Sequence, residues 1–152
     1  MATLKSLVPF ILLVAVAAAG GALFPPGEWH AALAKPAFNP PNALFAPVWT
    51  ALYVMMAVAA WRVFRREGWQ APLWLWLAQL VLNAIWTPLF FGLHRIDLAL
   101  ADIIVLDLLV IATTVAFFRR DRLAGWLLVP YLAWILFATA LTFAIWRLNP
   151  AA

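Results

Sequence analysis

Five long apolar runs constrain this sequence more than any other feature does. They are separated by short polar segments and cover residues 6–24, 43–64, 72–93, 97–118 and 123–148. A helix that crosses the hydrocarbon core of a bilayer needs roughly 20 apolar residues, and each run is about that long. A membrane β-strand needs about 10 residues and alternates polar with apolar positions, which these runs do not do. The pattern predicts an all-α integral membrane protein, a bundle of five transmembrane helices in a single domain over residues 1–152.

The composition excludes a water-soluble fold. Hydrophobic residues make up 68% of the 152 residues, charged residues only 11%, and the mean hydropathy is +0.99. A soluble domain of this size needs far more polar surface, since typical domains are about 25% charged. The sequence has no cysteine, which excludes disulfides and thiol chemistry. Its basic residues lie at the ends of the apolar runs, so the net charge of +4 does not indicate a nucleic-acid partner.

The first apolar run has two interpretations. Residues 1–22 carry a lysine near the start, then an apolar stretch and an Ala-Ala-Ala-Gly sequence, which is typical of a cleavable signal peptide. The alternative is a retained first span. Cleavage would leave four spans, and retention gives five.

The positive charges predict an orientation. With five spans, one side carries Lys5, Arg62, Arg65, Arg66, Arg119, Arg120 and Arg122, and the other carries Lys35, Arg95 and Arg147. Cytoplasmic loops are enriched in lysine and arginine, so we expect a cytoplasmic N-terminus and an outer C-terminus. The last three loops are short, which predicts that consecutive helices are antiparallel neighbours.

The first loop, residues 25–42, is the only long connection and holds five of the eleven prolines. Proline fixes φ and biases the preceding residue toward extended conformations, so we expect a stiff loop. It is either an interfacial tether or, as we favour, a lid over the outer mouth of the bundle. The candidate lid residues are Trp29, His30, Lys35, Asn39 and Pro40.

Three spans place aromatic and polar residues on one helical face. Residues three, four or seven positions apart share a face, and the sets that do so are Trp49 and Tyr53, then Asn83, Trp86 and Phe90, then Trp134, Ala138 and Leu141. Ordinary helix packing would also produce such faces, but we favour a ligand pocket. The remaining tryptophans near span ends suit an interfacial aromatic belt or the loops; they are Trp61, Trp69, Trp74, Trp126 and Trp146.

Two acids lie inside the fourth span. Asp102 and Asp107 are about 140° apart around a helix, so they are not a catalytic pair. An intramembrane carboxylate is costly and marks a functional hypothesis. Three interpretations of Asp107 are open. Its carboxyl is protonated, it bonds to Thr113 or to another helix, or it lines the cavity. A single serine argues against a Ser-His-Asp triad, and we assign no catalytic residue and no metal site.

Several separated motifs resemble the TspO/translocator protein family, the tryptophan-rich sensory proteins. They read WHxxxxKPxxNPP from residue 29, VWTxLY from 48, QLxxNxxWTPxFF from 79, PYxxWxxFAT from 130 and WRLN from 146. The resemblance implies a five-helix bundle with a retained first helix, often dimeric, and a ligand cavity under the first loop. It also implies a location in a bacterial cell membrane. Family members bind protoporphyrin IX and haem-like tetrapyrroles, and sterols in eukaryotes.

The resemblance also implies site residues. By matched position the cavity wall would include Trp49, Tyr53, Asn83, Trp86, Trp134, Ala138 and Leu141, and Asp107 would face the cavity. The chain departs from the family pattern at His30, where tyrosine is usual, and at Thr142, where asparagine is usual. Phe143 stands in the sterol-recognition pattern of the last helix, which wants tyrosine, so a sterol is less expected than a porphyrin.

We therefore expect a membrane receptor or carrier for porphyrins that regulates tetrapyrrole transport or metabolism. No cofactor is required beyond porphyrin or haem as ligand, and the expected partners are the bilayer and a second copy in a homodimer. Two alternatives are a light- and oxygen-dependent porphyrin-degrading enzyme and a small proton-coupled multidrug exporter that uses Asp107.

Overall fold

The structure, a computed structural model, describes residues 4–150 and consists of helices joined by short connections. The helices are α1 (Val8–Leu23, led by a 3-10 turn at Leu4–Leu7), α2 (Glu28–Ala32), α3 (Asn42–Glu67), α4 (Ala71–Thr87, continued by a wider turn at Pro88–Gly92), α5 (Ile96–Arg120) and α6 (Arg122–Leu148). All except α2 are long and apolar enough to cross a membrane. This confirms the predicted five-helix membrane fold, with span ends within three residues of those expected. The outermost residues of the predicted domain, 1–3 and 151–152, lie outside the described residues.

The five spanning helices surround a central space. α1 packs against α3 and α4, α3 packs against α6, and α5 packs against both α4 and α6. The order around the bundle is therefore α1, α3, α6, α5, α4. The prediction that consecutive helices are neighbours is wrong for α3 and α4, which touch little although only residues 68–70 join them. α1 lies between α3 and α4 and contacts both of them.

A smaller buried cluster lies beneath the first loop, and the larger one fills the end of the bundle away from the loop. Trp76 and Tyr131 are fully buried there, together with Met56. Alanines 57, 59 and 60 of α3 are also fully buried, and such small residues let helices approach closely in a membrane. The outward faces are apolar instead, as at Val16 and Leu108, which suits contact with lipid.

The span-end tryptophans divide into two groups. Trp74, Trp126 and Trp146 are exposed, as expected of an aromatic belt. Trp61 is not a belt residue, because it is buried and its Nε1 donates a 2.7 Å hydrogen bond to the Ser6 hydroxyl. Trp69 stacks on Phe10 with ring centroids 6.2 Å apart. Trp61 and Trp69 thus tie the N-terminal part of the chain to α3 and to the α3–α4 connection.

α4 is interrupted where the sequence predicted a continuous helix over residues 72–93. The Leu93 N–H donates to the Pro88 carbonyl at 2.8 Å, five residues back, so this turn is wider than an α-helical turn. Proline at 88 has no N–H to give to the regular ladder. The wide turn carries Phe90 and Phe91, which form the platform on which the first loop rests.

The first loop is folded rather than merely extended. It contains the short helix α2, and the Lys35 ammonium donates to the carbonyls of His30 (2.6 Å) and Leu33 (3.2 Å) at the end of that helix. Asn149 holds the loop from beyond α6. Its side chain accepts from the Ala34 N–H at 3.0 Å and donates to the Ala34 carbonyl at 2.8 Å. The loop is thus clamped across the end of the bundle.

Candidate ligand-binding cavity

A cavity of about 670 Å³ lies inside the bundle beneath the first loop. All five spanning helices and the loop contribute to its wall. Ligand pockets are usually about 300–1,000 Å³ and mostly apolar with a few convergent polar groups. The size and lining of this cavity are typical of a site for a small organic molecule.

The structure brings the predicted pocket residues together with one exception. The wall includes Trp49, Tyr53, Asn83, Trp86, Phe90, Trp134, Ala138 and Leu141. These side chains come from α3, from α4 with its wide turn, and from α6. The three helical faces identified in the sequence therefore border the same cavity. Asp107 is the exception and does not line the cavity.

Sequence reasoning missed the parts of the wall that α1 and α5 supply. α1 contributes Ala17, Ala18 and Gly21, and α5 contributes Ile103 and Leu106. These residues carry no polar or aromatic signal, so only the packing order of the helices reveals them. The small residues on α1 matter because they leave space that larger side chains would fill.

Aromatic rings line the cavity on several sides. Trp49 lies 5.4 Å from Tyr53 on α3, and Trp86 stacks on Phe90 at 4.9 Å with an interplanar angle of 18°. Trp134 of α6 meets Phe45 edge to face at 5.9 Å. Such contacts stabilise pairs of rings and hold them in defined orientations. The cavity therefore presents several flat apolar surfaces held by their neighbours.

A chain of hydrogen bonds runs from the cavity wall into the core. The Tyr53 hydroxyl donates to Asn83 Oδ1 (2.6 Å), Asn83 Nδ2 donates to the Tyr131 hydroxyl (3.0 Å), and that hydroxyl donates to Gln79 Oε1 (2.7 Å). The chain joins α3, α4 and α6. It gives Gln79 and Asn83 the interhelical partners that polar side chains seek inside a membrane.

Asp107 is tied to α6 rather than to the cavity. Its Oδ2 accepts a 2.7 Å hydrogen bond from Thr139. The suggested partner Thr113 instead donates to the Leu109 carbonyl of its own helix. Of the interpretations considered, a bond to another helix describes the position of Asp107. The expectation from the resemblance that it faces the cavity stays a prediction.

The lid residues have different positions. His30 and Asn39 line the mouth of the cavity, whereas Trp29, Lys35 and Pro40 do not. Trp29 lies against the platform, stacking on His94 at 4.2 Å and meeting Phe90 edge to face at 5.6 Å. Lys35 is turned toward the carbonyls of α2.

The pKa of His30 is lowered from its usual value. Burial of the ring beside Phe90 and Phe91 is the larger cause, and the nearby Lys35 charge is the smaller one. The neutral imidazole is therefore favoured at the mouth of the cavity. A neutral imidazole offers one donor and one acceptor there.

Comparison with known proteins gives a family. Residues 9–147 match the TspO/MBR family. The chain is 43% identical to Protein CrtK of Rhodobacter capsulatus over 145 residues, covering 93% of this chain and 91% of that protein. It is 46% identical over 140 residues to a tryptophan-rich sensory protein of Cereibacter sphaeroides, covering 92% and 89%. It is 39% identical over 137 residues to the human translocator protein, covering 85% and 81%. With five membrane-spanning helices and this match over almost its whole length, the chain belongs to the TspO/MBR family.

Proposed function

We propose that this protein is a membrane receptor or carrier that binds porphyrins, such as protoporphyrin IX and haem-like tetrapyrroles, in the cavity beneath the first loop. One observation carries the proposal. Trp49, Trp86 and Trp134 come from three different helices and line the same cavity. A porphyrin is a broad, flat and largely apolar ligand, and indole faces stack well on such surfaces.

The polar groups of the cavity suit the rest of a porphyrin. The Tyr53–Asn83 pair lies in the wall, and His30, Asn39 and Asn42 lie toward the loop. The propionates of the ligand would point to this loop end, where water and amide donors are available. Lys35 would not contact the propionates in this arrangement, because its ammonium already donates to backbone carbonyls.

A titration of the purified protein with protoporphyrin IX tests the proposal. We expect saturable quenching of tryptophan emission, and an affinity reduced about tenfold or more in the double variant W49F/W134F. The matched control is W74F/W126F, which removes two exposed tryptophans outside the cavity and should bind as the wild type does. Equal affinities of the wild type and W49F/W134F would overturn the assignment of the pocket.

The two alternative functions give different results in further assays. Porphyrin breakdown predicts that the bound ligand is altered by illumination in air, whereas a receptor or carrier returns it unchanged. Proton-coupled export predicts drug-driven proton release that is lost in D107N. The exporter has the weaker support, because Asp107 is bonded to Thr139 and lies outside the cavity wall.

A further inference from the structure

A second pocket lies at the opposite end of the molecule from the first loop. It has a volume of about 440 Å³ and lies between the last turns of α3 and the α5–α6 connection. Its polar lining consists of five arginines and one aspartate, which are Arg62, Arg66, Arg119, Arg120, Arg122 and Asp121. Neither the family match nor the aromatic cavity accounts for a pocket with this charge.

Asp121 organises two of the arginines. Its buried carboxylate accepts from Arg66 Nε at 2.9 Å, from Arg62 Nε at 3.1 Å and from the Ala124 N–H at 3.2 Å. Burial alone would raise the pKa of Asp121, but these hydrogen bonds hold it below its usual value. The carboxylate is thus ionised and fully used, and it fixes two guanidinium groups side by side.

Positive charge remains after these bonds are made. Arg120 pairs with Glu67 at 3.3 Å, whereas Arg119 and Arg122 form no ion pair with any residue in the part of the chain described. Each guanidinium has five N–H donors, and in the hydrogen bonds of this cluster Arg66 uses only its Nε. Several donors and at least two uncompensated charges therefore face one pocket, an arrangement that favours a multivalent anion.

The location of the pocket narrows the choice of anion. It lies where α3 and α5 end and α6 begins, and lipid phosphates are found beside the ends of membrane-spanning helices. Apolar side chains continue from its rim toward the membrane. Phe118 and Leu123 line the pocket, and Trp126 follows one turn further along α6, exposed and in edge-to-face contact with Phe118 at 5.3 Å.

We propose that this pocket binds the phosphate of an anionic phospholipid, with the guanidinium groups on the headgroup and the acyl chains beside Phe118 and Trp126. Guanidinium groups bind phosphate oxygens in a planar, two-pronged geometry. Basic pockets between membrane helices are suited to such headgroups, and each basic residue near the surface strengthens the attraction. The site takes one lipid in a defined place rather than a diffuse layer of counterions.

The test compares two phospholipids with the same acyl chains. The full chain is purified in neutral detergent and titrated with dioleoyl phosphatidylglycerol or dioleoyl phosphatidylcholine, and native mass spectrometry counts the bound lipids. We expect one saturable phosphatidylglycerol, bound at least tenfold more tightly than phosphatidylcholine. Equal binding of the two lipids by the wild type would overturn the proposal without any variant.

Variants then locate the site. R119Q/R122Q removes two arginines that make no ion pair, so it should fold and lose about tenfold in affinity for phosphatidylglycerol. The control R65Q/R147Q removes the same charge outside the pocket and should keep its affinity within about twofold. Equal losses in both variants would show that net charge alone attracts the lipid and would overturn the proposal.

Two further measurements test separately the geometry of phosphate binding and whether the phosphate belongs to a lipid or is free in solution. R119K/R122K keeps the charge and the fold but removes the two-pronged donors, so it should also bind phosphatidylglycerol more weakly. Inorganic phosphate at millimolar concentration should not displace the lipid. Full affinity in the lysine variant would overturn the two-pronged binding of phosphate by guanidinium groups, and displacement of the lipid by inorganic phosphate would overturn the assignment of a lipid headgroup.

Discussion

Tyr131 is central to the buried chain of hydrogen bonds that joins α3, α4 and α6. It is fully buried, and its hydroxyl both accepts from Asn83 and donates to Gln79. Tyr53 is at the other end of the same hydrogen-bond chain, in the wall of the cavity. The two tyrosines therefore make similar bonds in different surroundings, one in a closed core and one beside open space.

This difference gives a prediction about stability. Y131F removes a partner of the Asn83 amide and leaves the Gln79 carbonyl without a donor in a closed core, which costs about 1–3 kcal/mol of unfolding free energy. Y53F should cost no more than about 0.6 kcal/mol, because water in the cavity can replace the lost donor. Unfolding in a titration with sodium dodecyl sulfate measures both. Equal losses of unfolding free energy in Y131F and Y53F would contradict the prediction that the buried hydroxyl contributes more than the one in the cavity wall.

Single residues were predictable from the sequence where a helical face carried a chemical signal. Trp49, Trp86 and Trp134 stood out because tryptophan in the middle of a span is not explained by an aromatic belt. Asp107 had several open interpretations, because nothing local to α5 reveals that Thr139 of α6 lies opposite. The cluster around Asp121 was missed for a similar reason, since Arg62 and Arg66, which bind its carboxylate, are 59 and 55 residues distant in sequence.

The docked position of the first loop depends on the side chain of Asn149. This side chain holds the Ala34 N–H and carbonyl and also donates to the Ile145 carbonyl at 2.8 Å. N149A should therefore speed amide hydrogen exchange in residues 28–35 without lowering the unfolding free energy of the spans. N149D keeps the acceptor for the Ala34 N–H but loses the donors, so its effect should be intermediate. Unchanged exchange in N149A would mean that the platform alone holds the loop.

The docked loop should also respond to pH through His30. Because burial and Lys35 lower the pKa of the folded imidazole below 6.5, protonation favours the undocked loop. Docking is therefore fully stabilised above about pH 6.5 and weakens as the pH falls through the lowered folded value. Hydrogen exchange of residues 28–35 between pH 7.5 and 5, corrected for intrinsic rates, measures this. H30Q should remove the response, and a response that persists in this variant would contradict the assignment to His30.

The ends of the spanning helices were predictable from the sequence, but the wide turn in α4 and the short helix α2 were not. Hydropathy placed each span because a bilayer sets the length of an apolar helix. The wide turn at Pro88 was not predictable, because proline in a membrane helix is compatible with a kink, a break or no change at all. Helix α2 is too short for periodicity to mark, and it is stabilised by Lys35 and by packing on a platform that exists only in the folded protein.

At the scale of the whole molecule, the two ends of the bundle differ in chemistry. One end is closed by the first loop over an aromatic cavity, and the other carries the arginine pocket around Asp121. The packing order of the helices produces both, because α1 stands between α3 and α4 while α3 and α5 end beside the start of α6. The homodimer that the family resemblance implies stays a prediction, since the outward apolar faces suit lipid and a second copy equally.

The charge difference between the ends predicts the orientation in the membrane. Arginines 62, 65, 66, 119, 120 and 122 lie at the end where α3 and α5 stop, with Lys5 at the start of the first span, whereas Lys35, Arg95 and Arg147 lie toward the other end. The arginine-rich end should face the cytoplasm, which places the cavity mouth and the C-terminus outside. In a bacterial host, a C-terminal alkaline phosphatase fusion should be active and a C-terminal green fluorescent protein fusion dark. The reverse pattern would contradict this orientation, and it would place the mouth of the cavity on the cytoplasmic side.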